Sequence, residues 1–299
     1  MPITIQEVIA ESVAPPKNIQ ELAFMYKASD WYARLRPSTK RYYEYYILLL
    51  LKSPYATKKP QEISPGSAEA IFRTLVKDHG NNLANKFVSV WCRIYQFAIK
   101  KEWITLNPWA LIEKKHAVAR IEVWTEDLVM KVVNKALELG EKGVAIGIML
   151  MYDTAQRPSD CLAMDHSMVK SDEDGPYLEL FQSKTGAYVR VAITLYTARL
   201  FGDGPLHQKL VGSTIPLDTF RASFRRIANA VGVNKKLQLR DLRRTALTEC
   251  GDGGATDDEM MAQSGHKDRA MLDRYSVKSR QKALAASVAR YAGRYERFS

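Results

Sequence analysis

The chain has 299 residues, enough for about two domains, because single hydrophobic cores stop growing near 250–300 residues. Lysine and arginine total 44 against 33 acidic residues, a net charge of +11, and 46% of the residues are hydrophobic, which excludes a disordered polycation and a coiled coil. The apolar run Ile47–Leu51 is far shorter than the ~20 residues a bilayer needs, Met1-Pro2-Ile3-Thr4 does not open a signal peptide, and three scattered cysteines (Cys92, Cys161, Cys250) suit a reducing cytosol rather than a disulfide framework or zinc cluster.

Residues 1–19, with Pro15-Pro16, read as an irregular lead-in. Four helices are predicted next. The first runs from about Ile19 to Leu35, and the second opens at Pro37-Ser38-Thr39 with Tyr42, Tyr45, Tyr46 and Leu49 at helical spacing. The third starts at Ser64-Pro65, an N-cap followed by a first-turn proline. Gly80-Asn81-Asn82 breaks the chain before the fourth, where Leu83, Phe87, Val90, Trp91, Ile94, Tyr95 and Ala98 make one apolar stripe that ends before Asn107-Pro108. These elements outline a helical domain over 20–115, followed by a polar, basic linker over 116–123. Trp124-Thr125-Glu126-Asp127 begins a second domain, with helices over 126–139 and 143–154. Tyr177–Ser183 and Tyr188–Ile193 alternate like strands around Lys184-Thr185-Gly186-Ala187, which is a hairpin pattern that ends a strand at Lys184. From Asp218 the pattern is helical again, with breaks at Gly232, Gly251–Gly254 and Gly265. The fold class is mainly α with a small β-sheet (α+β).

The charge is unevenly spread. Residues 1–120 hold 18 basic and 10 acidic side chains (+8), and residues 121–299 hold 26 and 23 (+3). A basic module joined to a nearly balanced one suggests a polyanion clamp attached to a catalytic unit, with a merely solubilising basic surface as the plain alternative. Nucleotide-binding glycine loops and zinc-helix motifs are absent. Asp257-Asp258-Glu259 follows Thr256 and reads as an acidic first turn, since consecutive helical positions cannot converge on one metal.

The cations of the second domain stand out. Arg240 and Arg243 are one helical turn apart, with Arg244 beside them, and like charges at that spacing repel unless an anion or a carboxylate such as Asp241 relieves them. Arg157 precedes Pro158 at a helix entrance, where backbone N–H groups also favour anions. Lys184 sits at the hairpin tip and His266 follows a helix stop at Ser264-Gly265. Tyr275, four residues past Met271 and three past Leu272, has core packing as its default reading.

Together Arg157-Pro158-Ser159-Asp160, Lys184-Thr185-Gly186, Asp241-Leu242-Arg243-Arg244-Thr245-Ala246, Gly265-His266 and Arg274-Tyr275, in that order, resemble the tyrosine recombinase (phage integrase) family. The resemblance spans about residues 125–280 and extends more loosely over 20–110. It implies a core-binding domain over 20–115, a catalytic domain over 124–277 and a C-terminal docking helix over 278–299. Arg157 and Arg243 would hold the scissile phosphate and Tyr275 would attack it, giving a 3′-phosphotyrosine. Lys184 would protonate the departing 5′ oxygen, His266 would assist proton traffic, and Asp160 would support Arg157. No metal, ATP or other cofactor is required.

One position departs from the pattern, because Arg240 stands where members usually carry histidine. An arginine cannot act as a base, so Arg240 is expected to act electrostatically on phenolate and phosphate. The partners implied are a double-stranded DNA recombination site, three further copies of the chain in a synaptic tetramer, and accessory DNA-bending or directionality proteins; no membrane is involved. Lys40, Arg41, Lys86, Arg93 and Arg244 are the candidate DNA contacts. The apolar seam Leu284, Val288, Tyr291, Tyr295 and Phe298 would dock on a neighbouring protomer or pack in cis. The core-binding pattern starts too early to leave room for a full arm-binding domain. A cytoplasmic, nucleoid-associated protein of bacterial or phage origin, with viral genome integration as one task, fits this set. A type IB topoisomerase-like enzyme and a non-catalytic DNA-binding protein are the alternatives.

Overall fold

The computed structural model describes residues 14–114, 120–272 and 288. Tyr275 and the tail 278–299, Val288 apart, lie outside the described residues, as do 1–13 of the lead-in and 116–119 of the linker. The chain divides into two compact units, Met1–Val118 and Ala119–Ser299.

The first unit is helical. Helix α1 (Ile19–Lys27) is capped by Asn18, whose Oδ1 accepts from the Glu21 N–H at 2.8 Å. The single helix predicted to Leu35 is interrupted at Ser29. That residue is extended, and its hydroxyl donates to the Tyr26 carbonyl at 2.6 Å, competing with the helical ladder, so α2 is only Asp30–Ala33. Helix α3 spans Pro37–Leu51. Helix α4 (Pro65–His79) starts on Ser64 and Pro65 as predicted, and Gly80, at φ +80°, separates it from α5 (Asn81–Lys100).

The expected stripe of α5 is buried from Phe87 to Ala98. Trp109, in a 3₁₀ turn over Pro108–Leu111, meets Phe87 and Tyr95 edge-on at 5.4 and 6.2 Å. Two polar ends of this aromatic core find backbone partners: Trp91 Nε1 donates to the Tyr46 carbonyl and the Tyr95 hydroxyl to that of Pro60, both at 3.1 Å.

In the second unit, α6 (Glu126–Glu138) is capped by Thr125, and α7 (Lys142–Thr154) is buried from Val144 to Met151. After the single turn α8 (Pro158–Cys161) come β1 (Val169–Asp172), β2 (Gly175–Phe181) and β3 (Tyr188–Ala192), an antiparallel meander. Leu178, Leu180, Val189 and Val191 point into the core as their alternation predicts. Strand β1 was not foreseen, because its polar Val-Lys-Ser-Asp sequence carries no apolar alternation. The remainder is α9 (Leu195–Phe201), α10 (Leu217–Ala230), α11 (Asp241–Asp252), α12 (Asp257–Ser264) and α13 (Arg269–Leu272). Thr256 caps α12 ahead of an acidic first turn, as read from sequence, and Glu259 additionally closes a capping box with it. No helix among the described residues is long and apolar enough to cross a membrane.

Residues 120–124, expected to close the linker and open a helix, are fastened to α11 and the loop before it. Arg120 donates to both carboxylate oxygens of buried Asp241, at 3.1 and 2.6 Å, and to the Lys236 carbonyl. The Trp124 N–H donates to Thr245 Oγ1 at 2.8 Å, and its indole N–H to the Gln238 carbonyl at 3.2 Å.

Helix α7 can lie against α10 only where it lacks a side chain: a Cβ on Gly147 would sit 2.6 Å from Cε2 of fully buried Phe220. Gly147→Ala is therefore expected to lower unfolding stability by about 1–3 kcal/mol, the cost of overpacking a core. Urea melts should show that loss, and Phe220→Leu in the same chain should recover part of it.

Candidate active site

The site is assembled from three chain ends. Helix α7 ends at Ala155, a left-handed C-cap (φ +54°). Strand β2 ends just before Gln182, and α12 ends at Ser264, followed by Gly265 at φ +66°. Arg243 reaches from α11 into the gap between them. Its guanidinium, on a residue 4% exposed, donates to the Ala155 carbonyl at 2.7 Å and the Ser264 carbonyl at 2.9 Å, and lies 2.9 Å from His266 Nε2. Asp241, expected as a carboxylate partner within the Arg240–Arg243–Arg244 group, pairs with Arg244 at 3.2 Å and also takes Arg120 at 2.6 Å.

A guanidinium can only donate, so Nε2 of His266 is the acceptor, and its proton resides on Nδ1, which faces Ser264 Oγ at 2.7 Å. Burial, then the charges of Arg243 and Arg157, push the His266 pKa down to about 4. The imidazole is thus neutral at pH 7.

Arg157 caps α8 and donates through Nη1 to Gln182 Oε1 at 2.8 Å. Because α8 is a single turn, the helix-entrance contribution expected at Arg157 is slight, and side chains hold it instead. Gln182, 1% exposed, is the hub: its Nε2 donates to Gln156 Oε1 (2.6 Å) and the Ser264 carbonyl (2.7 Å), and its Oε1 also accepts from Thr185 Oγ1 (2.7 Å). Gln156 in turn donates to the carbonyls of Thr154 and Gln263. A Cβ at residue 265 would lie 2.5 Å from Gln182 Nε2, so glycine is required there by space as well as by φ.

Lys184 is exposed in the turn after β2 rather than at a strand end, since the strand stops at Phe181. The turn is fixed on both sides of it. Ser183 donates through N–H and hydroxyl to Asp160 Oδ1, at 3.1 and 2.5 Å, and Thr185 bonds Gln182. Buried Asp160 also lies 3.7 Å from Arg157, so one carboxylate spans the Lys184 turn and Arg157.

Arg240, just before α11, is exposed and, among the described residues, makes no hydrogen bond or ion pair with Arg157, Arg243 or His266. Its side chain lines a separate cleft with Arg221 and Arg225. Tyr275 lies outside the described residues, but Leu272, three positions earlier, is buried in a cluster with Ala155, Ala246, Leu247 and Met260.

Of the candidate DNA contacts, Arg41, Lys86 and Arg93 are exposed in the first unit, and Lys40 is partly so. Arg93 stacks on Trp31 at 4.2 Å and Lys40 lies over Tyr32 at 5.5 Å. Arg244 is mostly covered and paired with Asp241 at 3.2 Å.

A family model described as "Phage integrase family" matches residues 125–282, just over half of the chain. The chain belongs to the phage integrase family. As a member it is a tyrosine-type site-specific DNA recombinase. Solved integrases share the fold across both units. A lambda integrase dimer bound to a COC′ core site aligns with TM-score 0.74 at 18% identity, covering 92% of this chain and 81% of that one. A Tn1549 transposon integrase in complex with a circular intermediate DNA aligns with TM-score 0.70 at 13% identity, covering 91% and 99%. No curated protein matches the sequence.

The structure thus brings Arg157, Arg243, His266, Asp160 and the Lys184 turn of the candidate site into one network, and leaves Arg240 outside it. Sequence reasoning missed Gln156, Gln182 and Ser264. A signal for Gln182 was available, since it continues the inward parity of Leu178 and Leu180.

Two outcomes follow for this network. Gln182→Leu should cost about 1–3 kcal/mol, because the Gln156 oxygen and an Arg157 N–H lose their buried partner, and calorimetry would read it. For His266, the folded pKa near 4 lies below the free value of 6.5, so the unfolded chain binds the extra proton. Its contribution to stability is full above about pH 6.5 and is lost as pH falls toward 4. Denaturation at pH 7 and pH 5 should therefore show a larger drop for the wild type than for His266→Gln.

Proposed function

We propose that the chain cleaves and rejoins DNA strands through a 3′-phosphotyrosine on Tyr275. The observation that carries this reading is the pair Arg157 and Arg243, both near enough to depress the pKa of His266, on a network whose partners are mostly neutral groups. Such guanidiniums keep their charge for an incoming phosphate. As the Tyr275 oxygen attacks phosphorus, charge grows on the non-bridging oxygens, and Arg157 and Arg243 stabilise it. The phenol proton passes to solvent as the P–O5′ bond breaks, with His266 bonding the phosphate and assisting the proton's transfer, and Lys184 delivers a proton to the departing O5′. The new phosphotyrosine ester conserves the energy of the broken linkage, so the reverse attack by a 5′-hydroxyl needs neither ATP nor a metal.

Burial of Leu272 in the cluster that holds Ala155 supports this scheme, because it anchors the chain three residues before Tyr275 in the same small core as the residue whose carbonyl accepts from Arg243. The first unit serves as the DNA clamp. Lys86 and Arg93 are seven apart on α5 and share a helix face, with Lys40 and Arg41 on α3. Contacts of this kind bind phosphates with steep salt dependence. The working assembly is a tetramer on two duplexes, joined through the tail 278–299, in the cytoplasm of a bacterial host.

A nicked suicide duplex tests the scheme. The wild type should form a covalent protein–DNA adduct on a denaturing gel, and Tyr275→Phe none. Arg243→Ala should slow adduct formation by about 10²–10³-fold, the usual effect of removing one transition-state donor. Lys184→Ala should recover when the 5′-bridging oxygen is replaced by sulfur, a leaving group that needs no acid. An adduct formed equally by Tyr275→Phe would refute the assignment.

A further inference from the structure

We propose that Arg221, Arg225 and Arg240 form a receptor for a second DNA phosphate, the backbone neighbour of the one held by Arg157 and Arg243. The inference rests on the DNA-cleavage reading for its placement, and on the cleft itself for its chemistry. The three arginines line a cleft of about 290 Å³ with Pro158, Phe224 and Leu239, and no carboxylate lines it. Arg221 and Arg225 are one turn apart on α10, a spacing at which like charges repel unless an anion lies between them.

The donors in the cleft are underused. Arg225 is oriented by one bond, from Nη2 to the Leu237 carbonyl at 2.9 Å, while its Nη1 is buried with no hydrogen-bond partner. A buried N–H without an acceptor is costly, and an oxyanion in the cleft would satisfy it. The Arg240 side chain has no hydrogen bond or ion pair among the described residues. Among the described residues Arg221 pairs with Asp218, at the exposed surface of its own helix, a weak contact that a phosphate can displace. Forked guanidiniums match phosphate oxygens better than any other anion present on DNA.

Position completes the case. Pro158 follows Arg157 directly, and Arg240 lies one turn before Arg243, so the cleft flanks the residues that take the scissile phosphate. The arginine that stands in place of the family's usual histidine is thereby a backbone-binding residue that fixes where the strand lies. It does not handle the phenol proton.

The test is the salt dependence of duplex binding by the full chain, comparing wild type, Arg225→Gln, Arg240→Gln and the double variant. If both arginines serve one phosphate, the slope of log K against log[salt] falls by about 0.9 in the double variant, the value for a single phosphate contact. An unchanged slope, or a fall of about 1.8 that signals two separate phosphates, would overturn the proposal. Arg225→Lys, which keeps the charge, should retain the wild-type slope and so controls for loss of the Leu237 contact.

Placement is read separately, by putting a neutral methylphosphonate at each linkage next to the scissile one in the suicide duplex. One of these should slow the wild type at least tenfold and leave the double variant no slower than it already is. No effect at either linkage would overturn the placement. If the wild type forms no adduct at all, the cleavage reading fails, while the salt slope still decides whether the cleft binds phosphate.

Discussion

The second unit is organised around a buried cation. Removing the Arg243 guanidinium from water is tolerable only if its N–H groups find acceptors, and the acceptors come from chain ends. The Ala155 carbonyl lies at the C-terminus of α7 and the Ser264 carbonyl at that of α12, where helix dipoles present partial negative charge. Carbonyl partners stabilise the guanidinium without cancelling its formal charge, as a carboxylate would. The left-handed residues Ala155 and Gly265 turn the chain at these two ends. The bonds that make its burial tolerable are thus the ones that leave its charge in place.

Around that cation the site is held mostly by neutral groups. Gln182 joins Arg157, Gln156, Thr185 and the Ser264 carbonyl, and Asp160 joins the Lys184 turn to α8. An amide presents a donor and an acceptor at once, so one buried side chain can bridge a cation and a carbonyl with no charge of its own. Burial first, and then the proximity of Arg243 and Arg157, keep His266 neutral, so its imidazole can accept from the Arg243 guanidinium at Nε2 and donate from Nδ1 without adding a third positive charge to the site.

Much of this was legible in the sequence. Ser64-Pro65, Thr125 and Thr256 announced helix starts, the stripe from Phe87 to Ala98 announced α5, and the alternation around Lys184 announced β2 and β3. Order and spacing of Arg157, Lys184, Arg243 and His266 announced the family. Other features depend on tertiary partners that spacing does not encode. The break at Ser29 is a hydroxyl choosing a carbonyl, β1 is recruited by β2 in spite of its polar sequence, and α8 is a single turn. Arg240 looked like a neighbour of Arg243 on one helix face. It precedes the helix instead, and its side chain opens on a different cleft.

The fastening of Arg120 and Trp124 has a mechanical consequence. Their partners, Asp241, Thr245 and the Gln238 carbonyl, lie on or just before the helix that carries Arg243. Tension on the chain at residue 120 is therefore delivered to the root of α11, two residues from Arg243, and not dissipated at the periphery of the fold. Arg120, Trp124 and the start of α11 are thereby held as one piece, so the chain cannot be displaced at residue 120 without breaking bonds to α11.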